Sequence, residues 1–196
     1  FYIDDHAAVF GYLTKYAGET CQERGLQTSV KAIVAYGRER GLRMSMRCTA
    51  DEKPLTMKNY ILDGEWADPK GCSRSEPSAT YPNYQTHMVV CGWCTAWEKY
   101  GLMNEGRLYC DWVDKNLVYG FNPELELGMG TTISHGGKVC EFDWVGCVVD
   151  EDGVAEIAAR RAELIPRVTR DFLYHCGHLL STFKREVYTE FGLPQG

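Results

Sequence analysis

Tyr84-Gln-Thr-His-Met-Val-Val-Cys-Gly-Trp-Cys-Thr-Ala-Trp-Glu-Lys-Tyr-Gly101 changes character half-way along. Tyr84 to Val90 alternates loosely and reads as a strand. Cys91 then opens a helix through Tyr100, and Gly101 ends it. A strand that runs straight into a helix places the reactive residues between them at a helix start. Downstream, Glu105 to Tyr119 reads as a further helix stopped by Gly120. Leu125–Ile133 and Val139–Val145 read as a hairpin around Ser134-His-Gly-Gly137.

Upstream, residues 4 to 24 read as a helix. Asp4 or Asp5 caps it, Ala7, Phe10, Leu13, Ala17 and Cys21 form its apolar stripe, and Gly25 ends it. A second helix runs from about Thr28 to Met46 and contains Gly37 and Gly41. Each interior glycine costs roughly 1 kcal/mol against alanine, so the pair points to a close approach. Asn59 to Trp66 reads as a short strand carrying Glu65 and Trp66. Asp68 to Pro82, rich in Gly, Ser and Pro, reads as a long surface loop. The chain closes with helices over Val154–Leu164, broken by Pro166, and Thr169–Phe191, capped by Thr169 and closed by Gly192. The expected class is α+β: a small antiparallel sheet with a β-hairpin, packed by N-terminal, inserted and C-terminal helices. One domain is expected, with N-terminal helices over 4–46, a core over 55–148 and C-terminal helices over 154–192.

The 196 residues carry a net charge of −6. Nucleic acid and anionic membranes both want a basic face, so neither is expected as the main partner. Nine cysteines is an odd number in a chain long enough to fold without disulfide staples. Reduced thiols and a cytoplasmic location are the expectation. No run approaches the roughly 20 apolar residues of a membrane span, and no signal peptide is visible.

The chemistry gathers between His87 and Trp144. In Cys91-Gly-Trp-Cys94 the first thiol meets unpaired helix N–H groups, which favour its thiolate. A redox pair, a zinc site and a lone activated nucleophile compete for this motif, beside plain burial as small hydrophobes. Cys110-Asp-Trp-Val-Asp114 places two carboxylates three apart on one helix face. Among Tyr109, Trp112 and Val113, the pKa of Asp114 is expected to rise, suiting an acid or base. Cys140, Phe142 and Trp144 alternate with Glu141 and Asp143 and face an aromatic interior. His135 is expected at an exposed hairpin tip. His175 and His178 lie on neighbouring turns of the last helix, where a metal or a base with its partner is possible.

These phrases together resemble the L-2-amino-thiazoline-4-carboxylic acid hydrolase family. The resemblance is carried by Tyr36-Gly-Arg-Glu-Arg-Gly-Leu-Arg-Met44, Cys91, Gly106-Arg-Leu-Tyr-Cys-Asp-Trp-Val-Asp114 and Gly120-Phe-Asn-Pro123. It continues through Thr132 to Cys140-Glu-Phe-Asp-Trp144 and Tyr174-His-Cys-Gly-His178. It implies hydrolytic opening of a cyclic amidine. Cys91, Cys110, Asp114, Asn122 and Cys140 match the family pattern by position, whereas Cys94 looks like an addition of this chain. Gly136-Gly-Lys-Val-Cys-Glu-Phe142 also resembles the small ligand-binding sensor domains of the vinyl-reductase type.

The leading expectation is a hydrolase that opens a small cyclic amidine or amide at a non-peptide C–N bond. Cys91 or Cys110 acts as nucleophile or shapes the pocket beside a water, and Asp114 or Glu65 as general base. Asn122, Cys140, Arg40, Arg43, His178 and Trp66 form the substrate-binding set, with an arginine meeting a substrate carboxylate. No cofactor is expected; zinc or another divalent metal is the open alternative. The partner is a small molecule, with a homo-oligomer possible. The runner-up is a non-catalytic small-ligand or zinc-binding sensor module, and a Cys91–Cys94 thiol-disulfide enzyme comes third.

Overall fold

A computed structural model describes residues 1–192. Its first element, α1 (Ile3–Ala50), is a helical hairpin. The helix breaks at Gln22, where φ is 52° and ψ −135°. The chain folds back there, so that His6 meets Tyr36 and Gly25 lies on Ala17. A Cβ at residue 25 would come within 2.0 Å of the Ala17 carbonyl oxygen. The glycine expected to end the first helix therefore belongs to the second arm and lets the two arms touch. Tyr2, not Asp4 or Asp5, is the N-cap, and Asp5 reaches back to accept the Tyr2 backbone N–H at 2.8 Å. Both acids sit in the first turn, where the helix dipole favours them.

The remaining elements are α2 (Met57–Leu62), β1 (Arg74–Ala79), β2 (Tyr84–Val90), α3 (Gly92–Tyr100), α4 (Met103–Phe121), β3 (Leu127–Met129), β4 (Cys140–Trp144), α5 (Glu151–Val168) and α6 (Phe172–Phe191). All strand pairs are antiparallel, in the order β1-β2-β4-β3. The class is α+β.

Several expected elements are corrected. The strand over 59–66 is absent. The Thr56 hydroxyl instead accepts the Asn59 N–H and starts α2, which buries Met57 and Leu62; Glu65 and Trp66 follow in a connecting segment. The loop over 68–82 contains β1, an exposed edge strand with a register shift beside Pro77. An edge position tolerates proline because its missing N–H faces no partner strand. The hairpin strands are shorter than expected, and a 3-10 turn at Ile133–His135 sits between them. Thr169 closes α5, which runs past Pro166 to Val168, while Asp171 caps α6 through the Tyr174 N–H.

Gly120 does not end α4; it is packed against α1. A Cβ there would come 2.2 Å from the Arg38 carbonyl oxygen, and one at Gly41 would come 2.1 Å from that of Leu117. The interior glycines of the second arm thus bring two helix backbones together. Around this seam α1, α3, α4 and α6 enclose one core with Phe10, Ile33, Trp97, Leu117 and Leu179. A second core joins α2, α5, the end of α4 and the sheet through Met57, Tyr84, Val118, Leu127 and Leu164. Each such side chain contributes about 1.5–3 kcal/mol on burial.

Candidate active site

Where the sheet meets α3 and α4 there is a cavity of about 260 Å³. Cys91, Cys110, Asp114, Cys140 and Trp66 all line it. They arrive from four directions. Cys91 stands at the β2–α3 junction, Cys110 and Asp114 one turn apart on α4, Cys140 at the start of β4, and Trp66 on the segment after α2. The register pairs Met88 of β2 with Cys140, and Met88 and Phe142 form the strand wall beside it.

Cys91 is the N-cap of α3. Its thiol is shifted below the ordinary range, first by the hydrogen-bonding contact with the Cys94 thiol, then by the backbone N–H groups of Cys94 and Trp93; burial opposes the shift. This is the helix-start stabilisation of a thiolate. Cys94 is buried and lies between two thiols. Its own proton is held firmly, first by contact with Cys110, then by contact with Cys91. All nine cysteines are free. The start of α3 and the neighbouring Cys94 thiol therefore both favour ionisation of Cys91 over that of Cys94. Cys110 also lines an open polar cleft with Asp111, Lys115, Thr132 and His135, so it stands between the cavity and solvent.

The Asp114 carboxyl is pushed up to about 6 by burial, with Arg40 at a distance pulling the other way. Among the described residues no hydrogen-bond donor holds it ionised. A carboxyl poised there exchanges protons readily near neutral pH. Cys140 is pushed up to about 11 by burial, although its sulfur accepts the Ile133 N–H at 3.3 Å. It is a wall rather than a ready nucleophile.

The other expected site residues lie elsewhere. Arg40 and Glu65 are wholly buried and paired with each other at 3.5 Å, while Arg43 and Arg47 reach the same carboxylate at 3.0 and 3.6 Å. Neither Glu65 nor any of these arginines lines the cavity. One internal acid has taken the arginine cluster that seemed free for a substrate. Asn122 caps α4 and spans the loops, donating to the Leu55 carbonyl at 3.0 Å and accepting the Glu124 N–H. His178 faces α1, bound to Glu39 at 2.7 Å and 3.4 Å from Arg43, outside the cavity lining. His175 is buried and turns instead toward Tyr36 and the Glu65 carbonyl. The two histidines therefore do not converge on one ligand; they meet opposite ends of an Arg43–Glu65 pair. Among the described residues no three His, Cys, Asp or Glu side chains gather as metal ligands would.

Sequence reasoning missed most of the aromatic wall. Trp93, Trp97, Tyr109 and Phe172 line the cavity together with Trp66 and Phe142. Trp93 lies inside the cysteine motif and Tyr109 precedes Cys110, so adjacency was their signal; Phe172, at the start of α6, had none. Behind this wall runs a buried polar chain. Trp93 Nε1 lies 3.2 Å from His6 Nδ1, His6 Nε2 3.1 Å from the Tyr36 hydroxyl, and that hydroxyl 3.4 Å from His175 Nδ1.

No helix among the described residues is long and apolar enough to cross a membrane. No curated protein and no solved structure matches the chain. The family described as L-2-amino-thiazoline-4-carboxylic acid hydrolase matches residues 3–144. That span runs from the first arm of α1 to the end of β4; it holds every cavity residue named above except Phe172 and leaves Tyr174–His178 outside. With its match extending over most of its length, the chain belongs to the L-2-amino-thiazoline-4-carboxylic acid hydrolase family.

Proposed function

We propose that the protein is a hydrolase that opens a small cyclic amidine or amide at a C–N bond, with Cys91 as nucleophile and Asp114 as the proton carrier. The observation that carries this reading is that an activated thiol and a carboxyl poised near neutrality line one small cavity. Family membership supports the reaction class.

In the proposed sequence the Asp114 carboxylate takes the Cys91 thiol proton as the sulfur adds to the ring carbon. The C=N or C=O π pair moves to its heteroatom. Asp114 then gives its proton to the ring nitrogen, which leaves with the C–N bonding pair as the remaining heteroatom's pair re-forms the π bond, opening the ring to a thioester or thioimidate. Water adds to the thioester or thioimidate, Asp114 takes its proton, and the Cys91 thiolate is expelled. The net change is ring plus water giving an amine and a carboxylate from a cyclic amide, or an amine and an amide from a cyclic amidine. Cys110 and Cys140 shape the pocket. Two tryptophans, Trp66 and Trp93, bound the ring.

The test is turnover of a panel of five-membered cyclic amidines and amides by the wild type, Cys91→Ser and Cys110→Ser. Loss in Cys91→Ser alone supports thiol attack at Cys91. Full turnover in both variants sinks the thiol version and leaves direct attack by water with Asp114 as base. No turnover of any ring by the wild type sinks the hydrolase reading.

A further inference from the structure

We propose that the ligand of this cavity is a cation without a carboxylate: a protonated cyclic amidinium, held by Asp114 and the aromatic wall. The inference rests on the ring-opening reading for the word cyclic, but its charge argument stands on the cavity alone. The family's description names a carboxylic acid, and a carboxylate in a confined site wants an arginine, a lysine or several N–H donors. Among the described residues no arginine, lysine or histidine side chain lines this cavity. The two charged side chains that do, Asp68 and Asp114, are both acids. Asp68 is already engaged, accepting the Ser73 N–H at 2.6 Å, whereas Asp114 has no such donor.

The nearest candidate cations lie outside the cavity lining. The Arg40 guanidinium lies behind the wall, 3.9 Å from the centre of the Trp66 ring, wholly buried and 3.5 Å from the Glu65 carboxylate, although its nitrogens make no hydrogen bond. Arg43 shares that acid and lies over the Tyr174 ring at 5.3 Å, outside the cavity. An incoming carboxylate would leave water to meet Asp114 without a partner, and like charges in a confined site repel strongly. An amidinium meets the opposite field. Its planar N–H groups match a carboxylate, and its charge suits aromatic faces. Amidines are basic enough to carry that proton at neutral pH, and 260 Å³ holds one five-membered ring with its exocyclic nitrogen rather than a long substrate.

Three probes built on one five-membered ring separate the charges: 2-amino-2-thiazoline, an amidinium; its 4-carboxylate, which carries the same amidinium and adds an anion; and the neutral 2-thiazolidinone. Binding is read by calorimetry on the full chain, and turnover by product analysis. The amidinium is expected to bind about tenfold or more tighter than the carboxylate, with the neutral ring between them. Asp114→Asn is expected to remove most of the amidinium's advantage and leave the neutral ring's affinity within about twofold, which also reports that the variant is folded. A carboxylate that binds tightest, or that is opened with the highest kcat/KM, overturns the charge assignment and leaves the hydrolase standing. An amidinium preference without turnover of any probe leaves the charge assignment standing and removes the hydrolase. Failure of all three to bind, or an amidinium affinity unchanged in Asp114→Asn, overturns the proposal.

Discussion

The indole N–H of Trp93 is aimed at Nδ1 of His6 across 3.2 Å. An indole nitrogen only donates, so His6 accepts at Nδ1 and carries its proton on Nε2. Nε2 then donates to the Tyr36 oxygen, the Tyr36 hydroxyl donates to His175 Nδ1, and His175 Nε2–H donates to the Glu65 carbonyl oxygen at 3.3 Å. One cavity-wall residue thus sets the proton order of three buried side chains. The order requires both imidazoles to be neutral, and burial pushes both below the ordinary histidine range, His175 to about 2.

Replacing Tyr36 by Phe removes the central hydroxyl and orphans His6 Nε2–H and His175 Nδ1. Unfolding in urea should then occur about 1–3 kcal/mol earlier, the cost of leaving buried polar groups unpaired. A loss below half a kilocalorie would mean that the chain is not a structural unit.

Acid should destabilise the fold from near neutrality. Between an unfolded histidine value of about 6.5 and a folded value of about 2, the unfolded chain binds a proton on His175 that the native one does not. Stability therefore falls as pH drops below about 6.5, approaching about 1.4 kcal/mol per pH unit for one such group. His6 adds in the same direction. Below about pH 6 Asp114 opposes with a slope close to that of one histidine, because its raised carboxyl gains a proton in the native state before the unfolded one does, so His6 decides the net fall there. Urea midpoints from pH 7 to 5 measure the slope, which His175→Asn should flatten.

For Asp114 itself, kcat/KM should rise through a limb near pH 6 as the carboxylate forms. Asp114→Asn should lower kcat/KM by roughly 10²–10⁴ and erase that limb. The same variant should be more stable than the wild type above pH 6. The native carboxyl is harder to ionise than the unfolded one, so its cost is present above the folded value and vanishes below the unfolded one. A fall in activity with the limb unchanged would assign that limb to another group.

Cys94→Ala removes the contact that most favours the Cys91 thiolate. The pH at half-maximal alkylation of Cys91 should move upward, while ring opening survives at higher pH. Complete loss of turnover at every pH would instead favour a thiol-disulfide cycle between the two cysteines.

Gly41→Ala tests the helix seam by sign. Helix propensity alone predicts a gain of about 1 kcal/mol for glycine to alanine. Because the new Cβ would sit 2.1 Å from the Leu117 carbonyl oxygen, a loss of about 1–3 kcal/mol is expected instead, read from chemical denaturation.

What the sequence made readable was local. The switch of period at Cys91, the αL glycine at 101 and the amphipathic α4 carry their own signals, and so did Cys91, Cys110, Asp114 and Cys140 as reactive types in polar-poor surroundings. What stayed hidden depends on distant partners. Arg40 and Arg43 look available on a helix face until Glu65, from the segment after α2, takes them inside. Glu65 and Trp66 looked like a strand because nothing near them announces that Thr56 begins a helix. Ile3 and Phe172 reach the cavity only because the ends of α1 and α6 converge there.

The contact of α1 with α4 has a consequence for how substrate range can change. Val113, Asp114 and Leu117 reach the cavity from a helix whose backbone rests on another backbone, with no side chain between them to trim or enlarge. That side of the chamber is a fixed datum. The opposite side is built from Met88, Cys140 and Phe142 on short strands, where one substitution changes the free volume without moving a main chain. On the proposed ring-opening reading, larger or smaller rings are accommodated by editing the strands, while the position of Asp114 stays constant.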